Sequence, residues 1–423
     1  MPIFVARSKF TVSFFSFLAL PVLGVASIAT VAAGAEPPAA SGFSPISVAD
    51  ADNAAITYRQ AFAAVPKDAE AERQLLRGGV FGPWDESARD VLTRGAEPLR
   101  IFHRAAAQPR CDWQLDYSLG PKTETPHLAP ALRFIRLVIL EAKERLAAGD
   151  FNAAVKNALE LIVMGRRVGQ GPHLISLLVD HAIESSTGVF LAANLPRLDR
   201  PSIQRLSSGL RELPPAQSLA DCMEGEAKIM ITWLQKLIDE QGDRAGSEIV
   251  KMGEEAARLM GSPDYNYAPE LASLKADDMR QVIATYAADH AGLAKIARTS
   301  FTERARAHEE FEEWLRGLKE AVTSAREAGR PIPRDALLHA FSETSIPLVG
   351  AMVPKEMRMQ VRRELLAAAI AVQQRSESAL REFPDPASPE SPFGYRKTIS
   401  GFELESKFQW QGKPEILRVG FPG

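Results

Sequence analysis

The chain has 423 residues, 46% of them hydrophobic, 24% charged and 7% aromatic. That composition excludes a disordered polymer, which is poorer in apolar residues, and a multi-span membrane protein, which is poorer in charge. The 50 Lys+Arg and 53 Asp+Glu give a net charge of −3, so no strongly basic field exists to hold nucleic acid.

At the N-terminus, Arg7 and Lys9 precede an uncharged stretch from Phe10 to Ala35 with an apolar centre at Phe14–Gly24. It ends Ala33-Gly34-Ala35-Glu36, with small residues at the two positions a signal peptidase reads. Residues 1–35 are therefore expected to be a signal peptide, cleaved after Ala35. An uncleaved anchor is the competing reading, since the run is long enough to span a bilayer. Pro21 and the Ser, Thr and Gly within it weaken a permanent span. Removing Arg7 and Lys9 with the segment leaves 48 basic residues against 53 acidic ones, a net charge of −5. The expected location is the periplasm or cell envelope, with no stable membrane span after cleavage.

Residues 36–47, rich in Pro, Ala, Ser and Gly, read as a linker. An N-terminal helical unit is expected over 48–212. Within it Val155, Ala158, Leu159 and Ile162 follow helical spacing. Phe134–Leu140 and Leu174–Val179 are apolar nearly all round and read as central helices, the second starting after Pro172. A long-helix unit, 213–330, carries three apolar stripes. Leu219, Met223, Met230, Trp233, Leu234 and Leu237 form one, and Met279, Val282, Ile283, Tyr286, Leu293 and Ile296 the next. Phe311, Trp314, Leu315, Leu318 and Val322 form the third, opposite a solvated face with six acids and four bases between Glu303 and Glu320.

C-terminal helices fill 331–383, the last running from about Pro354 to Glu382. Residues 384–423 are a Pro-rich turn and β-hairpin. Strands are expected at Phe393–Thr398 and Phe402–Phe408 about Ile399-Ser400-Gly401, with Pro414–Phe421 able to add a third. So small a sheet must lean on helices, with Phe393, Tyr395, Phe402 and Phe408 as its apolar anchors. The fold class is thus mainly α, built of antiparallel helix pairs with a small C-terminal β-hairpin.

Two resemblances are local and a third, to a group of exported proteins, covers about half the chain. Glu141-Ala142, Leu146-Ala147, Gly149-Asp150-Phe151, Ala154-Val155 and Ala158-Leu159 together resemble a tetratricopeptide repeat, implying an antiparallel helix pair suited to protein binding. Asn53–Pro66 resembles the second helix of another such unit, though not at the 34-residue period of a tandem array. Cys111, Trp113, Asp116-Tyr117 and Gly120-Pro121, with Arg166–Gln170 and Leu174–Val179, resemble blocks in a group of uncharacterised exported helical bacterial proteins. Asp385-Pro386 and Tyr395-Arg396 resemble the C-terminal tail of type II secretion pseudopilins, with Pro389-Glu390 where those have a glycine turn.

The sequence has no nucleophile elbow, P-loop, dinucleotide fingerprint, zincin helix or paired-cysteine metal motif, so no cofactor and no metal is expected. Cys111 and Cys222 permit one disulfide, but two unpaired, buried thiols are favoured because Cys222 lies beside Met223 in an apolar helical pattern. His290 reads as a core histidine. His181 and Glu184, three apart, read as a helix-surface hydrogen bond rather than half of a metal site.

One loop mixes reactive residues. If it is catalytic, Cys111 is its nucleophile, His127 the base and Asp116 the orienter. If it is structural, Trp113 and Tyr117 pin it to the helices and Asp116 caps a turn. The structural alternative is favoured because no motif fixes the geometry that catalysis needs. The leading expectation is a non-catalytic, exported helical protein that binds or scaffolds another envelope protein. An envelope hydrolase using the Cys111–His127 loop is the alternative.

Overall fold

Asparagine and aspartate caps start the first helices. The Asn53 side chain accepts from the Ala55 N–H at the start of α1 (Ala54–Ala64), and Asp85 accepts from Ala88 at the start of α2 (Glu86–Arg94). A computed structural model describes residues 52–66, 84–259, 269–339, 342 and 350–420. The expected signal peptide and the linker lie outside the described residues. After α2 come α3 (Ala96–Ala107), a 3-10 turn (Tyr117–Lys122), α4 (Leu128–Ala147), α5 (Phe151–Gly169) and α6 (Leu174–Asn194). Then follow α7 (Arg200–Glu212), α8 (Leu219–Gln241), α9 (Ala245–Leu259), α10 (Ala276–Arg298), α11 (Phe301–Glu327), α12 (Arg334–Leu338) and α13 (Met352–Gln374).

The α4–α5 connection is the tight turn expected from Gly149-Asp150. Gly149 has φ 77°, the left-handed region that glycine enters without penalty, and Asp150 caps α5 by accepting from Ala153. The α5 helix then packs back along α4.

Apolar packing crosses the segment boundaries read from the sequence. Phe102, Phe134, Leu161 and Ile183 share one cluster with Val361 and Leu365 of α13 and with Phe402 and Leu404 of the sheet. A second cluster joins Leu177, Met223, Leu293, Leu315 and Val353, and a third joins Leu234, Ile249 and Val282. Residues Asn53–Gly423 form one unit around them. Among the described residues only Leu174–Arg197, α6 with its 3-10 extension, is long and apolar enough to cross a membrane. In the fold α6 packs against α4, α5, α8 and α13, a central position that accounts for its apolar character.

The third stripe is only partly covered: Leu315 and Val322 are buried, while Trp314 is 38% exposed. The last long helix is shorter than expected. It ends at Gln374, and Glu377–Glu382 is a 3-10 turn. Ser376 between them takes extended backbone, with its hydroxyl on Ser378, a local bond that competes with helix.

The C-terminal sheet has the antiparallel order β3 (Gly394–Lys397), β4 (Phe402–Trp410), β5 (Lys413–Val419). Phe402, Leu404, Leu417 and Val419 are buried, and Arg396 and Arg418 flank Glu403 on the opposite face. Phe393 is 2% exposed, and Tyr395 and Phe408 are half-buried. The turn Gln411-Gly412, with φ 53° and 73°, joins β4 to β5.

The Pro-rich turn contains a further small pair, β1 (Pro384–Asp385) with β2 (Ser388–Pro392). Buried Asp385 ties it down. Its carboxylate accepts from the Ala387 and Lys407 N–H groups at 3.0 and 2.6 Å and from the Ser406 hydroxyl at 2.7 Å.

Candidate functional site

The Cys111–His127 loop is fixed from beneath. Asn53 exchanges two 2.8 Å hydrogen bonds with the Asp112 backbone. Trp113, 4% exposed, donates its indole N–H to the Arg167 carbonyl at 2.8 Å and stacks on His127 with ring centroids 4.1 Å apart. Buried Arg167 donates to the carbonyls of Ala105 and Gln108, closing the loop against α3.

Asp116 caps the 3-10 turn, accepting from the Ser118 N–H and hydroxyl at 3.0 and 2.6 Å. Burial, with Arg59 nearby, holds His127 down at about 4. Burial pushes the Cys111 thiol up to about 12, against the pull of Arg167, the reverse of an activated nucleophile. No hydrogen bond among the described residues links Cys111, Asp116 and His127. Both cysteines are free thiols, Cys111 half-buried and Cys222 buried.

A second set of polar residues is more tightly organised, at the crossing of α5, α6 and α13. Gly165 and Gly169 let α6 approach α5. A Cβ on Gly165 would lie 2.7 Å from the Asp180 carboxylate, and one on Gly169 2.8 Å from the Asp180 Cβ. The approach brings Asp180 against Arg166, whose guanidinium donates to Asp180 at 3.1 Å and to Glu184 at 2.9 Å. From α13, Arg363 grips Glu184 with two 2.9 Å bonds and reaches Glu356 at 3.4 Å. The His181 ring nitrogen lies 2.8 Å from Glu356. Burial raises the Asp180 carboxyl against the opposing charge of Arg166. Burial works the same way on Glu184, but Arg363 and Arg166 outweigh it and hold that carboxyl below its ordinary range.

His181 and Glu184 thus differ from the helix-surface pair expected of them. Both are inside the protein and both face α13, because that helix covers this side of α6. His290 is a core histidine, 1% exposed, with Nδ1 on the Tyr286 carbonyl at 3.1 Å. Among the described residues no cluster of three or more His, Cys, Asp or Glu is placed to hold a metal ion.

Outside this network the same helices open into a cleft of about 940 Å³, bounded by α5, α6, α7, α13 and the β4–β5 hairpin. That volume is at the upper end of the roughly 300–1,000 Å³ typical of small-ligand sites. Eight basic and three acidic residues line it. Arg358 and Arg362, one turn apart on α13, share the carboxylate of Glu415, with contacts at 2.7 and 2.5 Å. Glu415 is only 6% exposed, and the Arg358 guanidinium lies over the Trp410 ring at 4.7 Å. Arg362 also donates to the Ser185 hydroxyl.

The signal for this site was present in the sequence as charge in apolar helices: Asp180 and Glu184 in α6, and Arg358, Arg362 and Arg363 in α13. Charged residues are almost never fully buried without partners, so their presence on buried helices implies a paired network. No protein-family model matches the chain, no curated protein matches it, and no solved structure matches it.

Proposed function

We propose that the chain is an exported, non-catalytic protein of the cell envelope that works by binding, and that its binding face is the arginine-lined cleft. The observation that carries this reading is the cleft: a wide cavity whose charged wall is held in place by a buried ion network. Its two serine hydroxyls, Ser185 and Ser207, each receive a hydrogen bond from a guanidinium, which is a donor and not the base an attacking serine needs. Neither histidine nor cysteine occurs among its described lining residues. Export rests on the N-terminal pattern, Arg7 and Lys9 before an apolar run ending Ala33-Gly34-Ala35.

The test uses the full chain in cells, with a photocrosslinking residue at Gln411 on the cleft rim and a control at Lys251 on an exposed face of α9. The expected result is an envelope-fraction protein starting at Glu36 that forms an adduct from position 411 and none from 251. Recovery with an intact Met1 in the cytoplasm refutes export. Equal or absent adducts at the two positions refute the cleft as the binding face.

A further inference from the structure

We infer that the cleft takes an anionic amphiphile, a single alkyl chain ending in a carboxylate or phosphate, with its head at Arg358 and Arg362. The inference rests on the reading of the cleft as the binding face and adds the chemistry of its occupant.

The first argument is the order of residues along α13. Arg358, Arg362, Leu366 and Ile370 recur every four residues and all line the cleft. At 1.5 Å per residue, Arg358 to Ile370 spans about 18 Å. That stripe of the wall is therefore cationic at one end and aliphatic at the other, and Arg375 beyond it is engaged by Glu382. Leu210 of α7 and Phe383 also line the cleft and add to its apolar surface. A free inorganic anion would leave the aliphatic wall in water, and a neutral chain would leave the arginines without a counter-charge.

The second argument is charge accounting. Arg358 and Arg362 share one buried carboxylate, Glu415, so one positive charge at this wall is uncompensated. Burial disfavours the charged form of Arg362, and an arriving anion relieves that cost. The floor adds one donor that its carboxylate partners leave unused. Arg166, whose side chain is 6% exposed, has no acceptor for its Nε–H among the described residues and lines the cleft. Guanidinium groups suit carboxylate and phosphate oxygens because their N–H donors match two acceptors at once.

Isothermal titration of the full chain tests this, with dodecyl phosphate, dodecanoate, octyl phosphate, dodecanol and inorganic phosphate as probes below their micellar concentrations. Both dodecyl anions should bind, and their ratio distinguishes a phosphate head from a carboxylate. Octyl phosphate should bind at least tenfold more weakly than dodecyl phosphate, since each buried methylene is worth about fourfold in affinity. Dodecanol and inorganic phosphate should each be weaker still.

Arg358→Gln should weaken the dodecyl anions about tenfold without changing dodecanol, while Arg362 still pairs with Glu415. Leu210→Ser, which touches no charge, should weaken every alkyl probe and leave inorganic phosphate unchanged. Inorganic phosphate binding as tightly as dodecyl phosphate overturns the proposal, and so does an Arg358→Gln variant with native affinity. If no alkyl probe binds yet the adduct at position 411 persists, the amphiphile is refuted and the cleft remains the binding face. If both fail, both readings fall.

Discussion

His103 on α3 is held between two carboxylates, with Nε2 2.8 Å from Glu141 of α4 and Nδ1 2.6 Å from Glu160 of α5. Its side chain is 22% exposed. Burial alone would lower the imidazole, but the two carboxylates outweigh it and raise the group from 6.5 to about 9. At 1.36 kcal/mol per pH unit, that rise corresponds to about 3 kcal/mol of folding stability. The folded chain keeps the proton up to about pH 9, the unfolded chain only to about 6.5. The stabilisation is therefore complete below pH 6.5 and drains away as pH rises through 9. The perturbation is His103→Gln, and the assay is urea unfolding followed by helical circular dichroism at pH 6 and pH 10. At pH 6 the variant should be less stable than the native chain by about 3 kcal/mol. At pH 10 the difference should shrink to less than about 1 kcal/mol, the worth of an ordinary hydrogen bond. A difference that does not change with pH would refute the charged clamp.

Trp113→Ala should cost about 3–5 kcal/mol by chemical denaturation, whereas Cys111→Ser should cost under about 1 kcal/mol and native Cys111 should label slowly with a thiol reagent at neutral pH. His127 and His290 are both held down at about 4, so between pH 6.5 and 4 the unfolded chain takes up protons first and melting temperature should fall with pH, less steeply in His290→Phe. Arg166→Ala leaves Asp180 buried without its ion partner and should cost about 3–5 kcal/mol. Truncation before Pro384 should lower the melting temperature and raise binding of a hydrophobic dye, because Phe402 and Leu404 share a cluster with Val361 and Leu365.

What the sequence made legible was local. Met279, Val282, Ile283, Tyr286 and Leu293 are all buried on α10, as helical spacing requires. The anchoring of the Cys111–His127 loop was legible because Trp113 is a large residue that must be buried and bonded, and it is both. Patterns failed where a distant partner decides burial. Ile238, outside the expected stripe, is buried while Met230 and Leu237 within it are only half-covered, since Ile249 of α9 and Val282 of α10 share the cluster of Ile238. Glu184 and Arg363 are 179 residues apart. A helical wheel shows each as a charge on an apolar helix and says nothing of the bond between them. The cleft, assembled from five elements, has no contiguous motif.

Burying ions is a costly way to join α5, α6 and α13. Each ion loses its hydration, and replacing such a set with well-packed apolar residues is often neutral or stabilising by about 1–4 kcal/mol. The chain instead keeps glycines at 165 and 169, which make poor helix but let Asp180 reach Arg166. What the network achieves is placement. Arg363 holds Glu184 from α13, and Arg166 holds the same carboxylate from α5. The helix carrying Arg358 and Arg362 is thereby fixed in rotation against α6. Glu415 fixes the same two arginines from the hairpin side, where Trp410 supports one of them. Two guanidinium groups, each with several rotatable bonds, are so held in one arrangement before any ligand arrives. Ordering side chains in advance removes an entropy cost from binding. On the proposed reading of the cleft as an anion-binding face, such a network trades apolar packing for a cationic wall ordered in advance.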